Sequence, residues 1–391
     1  MQRLLYGVFL RDVAWLAITA FGGPQVHLAL FLDLLVDRRR YITEQEFMEL
    51  QALCNILPGP SSSQTIVAIG FKIGGPRLAY LTLLVWCLPG VLLMTLFGLL
   101  IYYVQTQNIS LYFLKYVQPV AVGLVCFAAY KMVNLVLHTK TGFILATLTT
   151  ILSYYIRSPW VFPVSVVVGG FLTGFLKRRQ QPPEEKLPLK IRWGNFTLFW
   201  GVLIGTAILG GLTKFLFIRL FENFYRNGSF IFGGGQVLIP VLFTEFVEFK
   251  HYLTKDEFLS GFGLAQVVPG PVFSFVAFIG TLTMREYGIG WQLVGALVAS
   301  AGIFLPGTFM IFFVIRFWEQ LKSYRFVRAS LEGIQAASTG LVVAAAIVLL
   351  EPQGMSLVNV VIVVLSFLIF WFTKIPPPVL IILALAAGFI F

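Results

Sequence analysis

Residues 54–64 read CNILPGPSSSQ, and residues 265–275 read AQVVPGPVFSF. Each stretch lies between two apolar segments. Proline lacks the N–H donor a helix needs, and glycine weakens helices. Pro58-Gly59-Pro60 and Pro269-Gly270-Pro271 therefore break hydrophobic segments, and they do so at matching places in the two halves of the chain.

The surroundings of these breaks are membrane-like. Of the 391 residues, 58% are hydrophobic and 12% charged, with a mean hydropathy of +0.87. A soluble domain is about 45–50% apolar and about 25% charged. Near-uncharged stretches at 78–104, 197–212 with its flanks, 290–315 and 358–372 approach or exceed the roughly 20 residues of a bilayer span. The composition describes an all-α polytopic membrane protein. The stretch MQRLLYGVFLRDVAW carries Arg11 and Asp12 inside its apolar run and lacks a small-residue cleavage site, so it is not expected to be a removable signal. The net charge of +11 would suggest nucleic acid in a soluble protein. Here the basic residues cluster at segment ends, at 38–40, 177–179 and 316–328, and read as topology signals. Cys54, Cys87 and Cys126 form no CxxC pair and read as small packing residues. No cofactor or metal site is expected.

A shift of 211 residues superimposes the two broken regions without a gap. Phe21-Gly22-Gly23 falls on Phe232-Gly233-Gly234, and Gln25-Val26 on Gln236-Val237. Tyr41-Ile42-Thr43 falls on Tyr252-Leu253-Thr254, Glu46-Phe47 on Glu257-Phe258, PGP on PGP, and Ser63 on Ser274. Six residues later in the second copy, Leu305-Pro306-Gly307 answers Leu88-Pro89-Gly90. Several motifs in one register mark an internal duplication. Copy 1 is expected over 1–176 and copy 2 over 196–391, joined by the charged, Pro-rich linker 177–195.

In each copy an apolar segment is interrupted by FGG (13–21 then 26–36; 224–232 then 237–247) and a second by PGP (46–57 then 61–73; 257–268 then 272–284). Pieces of about ten residues are too short to span. Counting full segments between basic clusters keeps those clusters cytoplasmic only if the PGP pieces re-enter rather than cross. The second copy then enters from the opposite face. The expectation is two homologous halves in inverted topology, with about nine crossings and re-entrant broken helices.

Non-helical backbone at membrane depth is tolerated only inside protein or against a water-filled cavity. Gly/Pro-interrupted segments at matching positions of two halves point to a transporter binding site. Ser61-Ser62-Ser63, good N-cap residues, follow the first PGP, so a helix starting there aims free N–H groups and its positive dipole end at the break. That favours an anion. The candidate binding residues are Gly22, Gly23, Pro24, Gln25, His27, Asn55, Pro58, Gly59, Pro60, Ser61, Ser62 and Ser63 in copy 1. In copy 2 they are Gly233, Gly234, Gly235, Gln236, Gln266, Pro269, Gly270, Pro271 and Ser274. Such donor-rich sites suit a tetrahedral oxyanion. The plainer readings are packing glycines, a simple Pro kink, and interfacial positions for Arg11, Asp12, Lys72, Arg226 and Arg285. Thr43-x-x-Glu46 and Thr254-x-x-Glu257 match the capping box and read as helix starts.

FGGPQVH, the Tyr-Ile-Thr-x-x-x-Phe block, PGP and the downstream LPG, with FGGGQV…FLSGFGLAQVVPGP…FLPG in the second copy, resemble the chromate transporter family in its two-domain, long-chain form. The resemblance covers nearly the whole chain. It implies a multi-pass inner-membrane carrier that exports chromate, a sulfate-like dianion, using the proton motive force. The expected partners are the inorganic oxyanion, protons as coupling ion, the lipid bilayer and a second copy of the chain in a homodimer. Copy 2 departs at Gly235, where copy 1 has Pro24, and at Val272 and Phe273, where copy 1 has Ser61 and Ser62, so the half-sites are expected to be unequal. The alternatives are an anion channel or a carrier for another oxyanion such as sulfate. The sequence lacks a GxxxxGK[ST] nucleotide loop. His27, His138 and His251 share no motif that would suggest an enzyme.

Overall fold

The computed structural model describes residues 2–107, 111–180, 193–232, 235–321, 324–350 and 356–390, and the regular structure in them is entirely helical. Helix α1 (Gln2–Thr19) stops before Gly22 and Gly23, whose φ angles of 97° and 83° only glycine adopts without strain. Helix α2 (Pro24–Phe31) restarts with proline at its first position and passes into a π-helical stretch, Leu32–Arg38. The chain thereby reverses and returns to α1. Arg39 Nε and Nη2 lie 2.8 and 2.9 Å from the two carboxylate oxygens of Asp12, and the Tyr41 hydroxyl donates to the same group at 2.8 Å. Burial pushes the Tyr41 phenol up to about 12, and its hydrogen bond to Asp12 adds to the shift, so it stays a donor at physiological pH.

The second broken pair repeats the device. Helix α3 (Glu44–Ile56) opens on a formed capping box: Thr43 N–H donates to Glu46 at 2.8 Å and Glu46 N–H to the Thr43 hydroxyl at 3.3 Å. Past Pro58-Gly59-Pro60 the chain restarts as α4 (Ser61–Thr106), which is itself interrupted at Gly74 and Gly75, the latter at φ 69°. Residues 61–73 fold back along α3, and Lys72 ends 2.7 Å from Glu46. Both ends of the pair thus lie at one mouth, with PGP at the tip, about 20 Å inward at 1.5 Å per residue. This is a re-entrant pair, not a crossing. Residues 76–106 then run back past 61–73, placing Thr82 on Gly70 and Trp86 on Ser63.

Helices α5 (Val117–Val136), α6 (Lys140–Ile156), α7 (Val161–Lys177) and α8 (Gly194–Thr213) follow. Copy 2 then repeats the plan as α9 (Leu216–Phe230), α10 (Gly235–Phe243) with a π-helical Thr244–Phe249, α11 (Lys255–Ala265), α12 (Phe275–Thr283) and α13 (Ile289–Val314). Its capping box forms as well, at 2.9 and 3.2 Å between Thr254 and Glu257. A short 3₁₀ turn, Val272–Ser274, precedes α12, where copy 1 starts directly as α-helix. Helices α14 (Trp318–Leu321), α15 (Arg325–Leu350), α16 (Leu357–Phe372) and α17 (Pro377–Ile390) complete the chain.

Two compact units form. One comprises residues 1–112, 193–229 and 261–315, the other 113–192, 230–260 and 316–391, so each draws on both copies. In the first, Gly90 faces Ser274 and the Pro269 carbonyl, and Gly98 faces Thr281, so the span after Gly75 runs in the same sense as α12. Reciprocally, Gly307 faces Gln64 and the Pro58 carbonyl, and Phe71 stacks on Phe312 at 4.9 Å, so residues 61–73 run in the same sense as α13. Each half-helix is antiparallel to the span that follows it, as Gly280 against Gly295 shows for α12 and α13. The half-helix 61–73 and α12 therefore point in opposite directions. The repeat is inverted, and each PGP break is seated on the LPG glycine of the other copy.

In the second unit α15 packs on α5, α6 and α7, with Gly333 against the Gly169 carbonyl and Gly340 against that of Ala146. Lys177 meets Glu332 at 2.6 Å and Arg157 meets Glu248 at 3.2 Å. Among the described residues six helical stretches are long and apolar enough to cross a bilayer: Ser61–Thr106, Tyr112–Val136, Val161–Gln180, Gly194–Thr213, Ile289–Val314 and Arg325–Leu350. The sequence had suggested about nine. Helices α6, α16 and α17, with 17, 16 and 14 residues, reach only about 21–26 Å at 1.5 Å per residue, short of a roughly 30 Å hydrocarbon core.

The two mouth pairs are expected to differ in strength. Asp12 is 5% exposed and takes hydrogen bonds from both Arg39 and Tyr41. Asp12→Ala should cost roughly 2 kcal/mol, read as a lower thermal midpoint in detergent. The Glu46 and Lys72 side chains are 35% and 41% exposed, so Glu46→Gln should cost under about 1 kcal/mol.

Candidate functional site

Three of the four breaks lie in the first unit, and they are fastened to one another. His27 of α2 places Nδ1 3.2 Å from the hydroxyl of Ser62 at the start of α4. This joins the first FGG break to the first PGP break. Trp86, fully buried, donates its indole N–H to the Ser63 hydroxyl at 3.0 Å, and its ring meets His27 edge-on at 5.3 Å and Phe31 at 5.2 Å. The Gly270 N–H of the second PGP break donates to the Ala20 carbonyl just before Gly22, at 2.9 Å. A Cβ built on Gly270 would lie 3.4 Å from the Ala17 carbonyl oxygen and 3.6 Å from that of Trp86. Trp86 thus lies against both PGP breaks and against α2, the helix that follows the first FGG break.

The Gln64 amide N–H₂ donates to the Pro58 carbonyl and braces the first PGP turn from inside. Gly59 sits there at φ 115°, and a Cβ on it would come within 2.8 Å of Gln64 Nε2. A Cβ on Gly307 would lie 2.5 Å from the same nitrogen, and one on Gly90 would lie 2.6 Å from the Ser274 hydroxyl. Only glycine fits these seats.

Against this frame, buried polar atoms remain without a hydrogen-bond partner: His27 Nε2, Gln64 Oε1 and Ser274 Oγ, on residues 1%, 3% and 1% exposed. An unsatisfied buried polar group costs about 1–3 kcal/mol. The leading N–H groups of residues 61–63 also have no carbonyl a turn earlier to receive them. If Ser62 donates to His27 Nδ1, then Nε2 carries the proton and is a donor too. In that tautomer His27 Nε2 and the Ser274 hydroxyl are unpaired donors beside the amides of residues 61–63, while Gln64 Oε1 is an unpaired acceptor.

Of the candidates from sequence, Pro58, Gly59, Pro60, Ser62, Ser63, Gly270, Pro271, Ser274 and His27 are buried here. Gly23, Pro24, Ser61, Gln266 and Pro269 are half-buried, while Gly22 and Asn55 are exposed. Gly233 and Gly234 lie outside the described residues, as do the side chains of Gln25 and Gln236 and most of the linker, residues 181–192; Gly235 is the first residue of α10. Of the charges near the breaks, Asp12 pairs with Arg39, Lys72 with Glu46, and Arg226 with Glu222 at 3.0 Å. The sequence reading overlooked Trp86 and the seating role of Gly90 and Gly307. The available signals were a lone Trp three residues before Pro89 in an aliphatic run, and the repetition of LPG itself.

Comparison with known proteins agrees with this picture. A family model described as chromate transporter matches residues 8–175 and again 218–389. The chain is 24% identical over 384 residues to an uncharacterized transporter of Methanocaldococcus jannaschii, covering 96% of this chain and 92% of that protein. It is 25% identical over 386 residues to the chromate transport protein of Pseudomonas aeruginosa, covering 95% and 89%. It is 26% identical over 402 residues to that of Cupriavidus metallidurans, covering 99% and 92%. No solved structure matches.

Gly59→Ala forces a side chain into φ 115° and against Gln64, and is expected to cost about 1–3 kcal/mol. Gly201→Ala in α8, where a Cβ meets nothing within 4 Å, should be neutral or stabilise by about 0.5–1 kcal/mol. Thermal unfolding of the two variants in the same detergent checks the contrast.

Proposed function

From the premise that the chain belongs to the chromate transporter family, we propose that it is a secondary active transporter that exports chromate, or a related sulfate-like tetrahedral oxyanion, across the inner membrane, driven by the proton motive force. One observation carries the reading: three helix breaks are tied together in one unit, and two side-chain atoms able to donate there, His27 Nε2 and Ser274 Oγ, are buried without a partner. A dianion is the ligand that such a place accommodates. The half-helices 61–73 and α12 point their N-termini inward from opposite senses, each with a positive dipole end, and the amides of residues 61–63 and of Val272 and Phe273 lead them. Ser274 and His27 add side-chain donors, and no full positive charge has to be buried to hold the guest.

The inverted repeat supplies the transport step. Each PGP tip rests on a glycine of the other copy, so rocking one hairpin against the other changes which mouth is open while the tips stay together. The linker 177–195 and the cluster 38–40 then lie on the cytoplasmic side, as their positive charge favours. Protons are the coupling ion in this reading.

The test is uptake into proteoliposomes, with chromate, sulfate, molybdate and phosphate competing at defined proton gradients. Saturable accumulation of chromate against its gradient, abolished by Pro58→Leu or Gly59→Leu in correctly inserted protein, is expected. Flux that never accumulates substrate would indicate a pore, and full chromate export by both variants would remove the site.

A further inference from the structure

The two copies do not present their breaks equally. In the 211-residue register Ser63 corresponds to Ser274, yet their hydroxyls are in different states. Ser63 accepts the Trp86 indole N–H at 3.0 Å, whereas Ser274 Oγ has no partner although the residue is 1% exposed. The cause is in the sequence. In the LPG register the counterpart of Trp86 is Ile303, which has no donor. His27 corresponds to Leu238, Ser62 to Phe273 and Gln64 to Phe275, so the whole network that occupies copy 1 is replaced by hydrocarbon in copy 2. Phe273, Phe275 and Ile303 are all buried. What survives of the polar set at the start of α12 is the one serine, pressed against Gly90.

We propose that Trp86 is a positioning residue that pins the Ser63 oxygen by donating to it, and that Ser274, whose oxygen no group of the protein holds, is the hydroxyl that reaches the transported oxyanion. The inference rests on the reading that the breaks hold such an anion. Copy 1 then contributes a braced wall, in which His27, Ser62, Trp86 and Ser63 fix the N-terminus of residues 61–73. Copy 2 contributes the side-chain contact. Trp86 also lies beside Gly270, so the wall is referenced to the second break. The serine that binds is therefore held in register with the amides that bind.

The experiment compares the two serines in the purified full-length protein, with chromate as the probe and both the dissociation constant and the thermal midpoint as readouts. Ser274→Ala is expected to weaken chromate binding roughly ten- to hundredfold, the value of a hydrogen bond to a charged group, with no fall in thermal midpoint. Ser63→Ala is expected to weaken binding several-fold less, but to lower the midpoint, because the buried Trp86 N–H loses its acceptor. Adding Trp86→Phe to Ser63→Ala should recover part of that midpoint, which a merely bulky role for Trp86 would not produce. Equal losses of affinity for the two serines, or a larger loss for Ser63→Ala, would overturn the asymmetry while leaving the site in place. Wild-type protein that binds neither chromate nor sulfate would overturn the asymmetry and the proposed function together.

Discussion

A helix that stops inside a bilayer leaves amide hydrogens and carbonyls with no water to receive them, and this constraint governs the molecule. The three described breaks are handled by the same means. The tip is glycine, because φ values of 83° to 115° are required at Gly23, Gly59 and Gly270. The stray groups are then received by protein: Gly270 N–H by Ala20, the Pro58 carbonyl by Gln64. What is left over at the described breaks is His27 Nε2, Gln64 Oε1 and Ser274 Oγ.

Inversion makes this possible with one sequence plan. A single re-entrant pair would have to rest its tip on lipid or on an unrelated helix. Two opposed pairs can each rest on the other's span, and the LPG glycines are the seats. Gly90 receives Pro269 and Ser274, and Gly307 receives Pro58 and Gln64. This reciprocity explains why the compact units are not the sequence copies. The first unit takes the broken hairpins from both, because neither hairpin is complete alone. The charged mouths, Asp12 with Arg39 and Glu46 with Lys72, close each copy-1 pair where it meets polar surroundings.

Much of the fold was legible in the chain. Pro58–Pro60 and Pro269–Pro271 announce their breaks by chemistry, and the capping boxes at Thr43 and Thr254 form as written. The re-entrant reading followed from counting spans between basic clusters. The number of spans was harder to read, because α16 and α17 are apolar but shorter than 18 residues, and hydropathy does not register length against bilayer thickness. The candidate site was legible as a set of positions but not as a set of roles. Periodicity cannot say that Asn55 turns outward while Gln64 turns in. Nor can it say that an indole 23 residues downstream of Ser63 takes up its hydroxyl. Those facts depend on which span a half-helix folds against, and that is long-range information.

The central claim is that amides from oppositely directed half-helices converge on one anion. Backbone hydrogen exchange in the reconstituted protein, with and without chromate, tests it most directly. Slowed exchange confined to residues 61–63 and 272–273 together is the result this account requires. Chromate that is transported while exchange at both segments stays unchanged, or slows at only one of them, would contradict it.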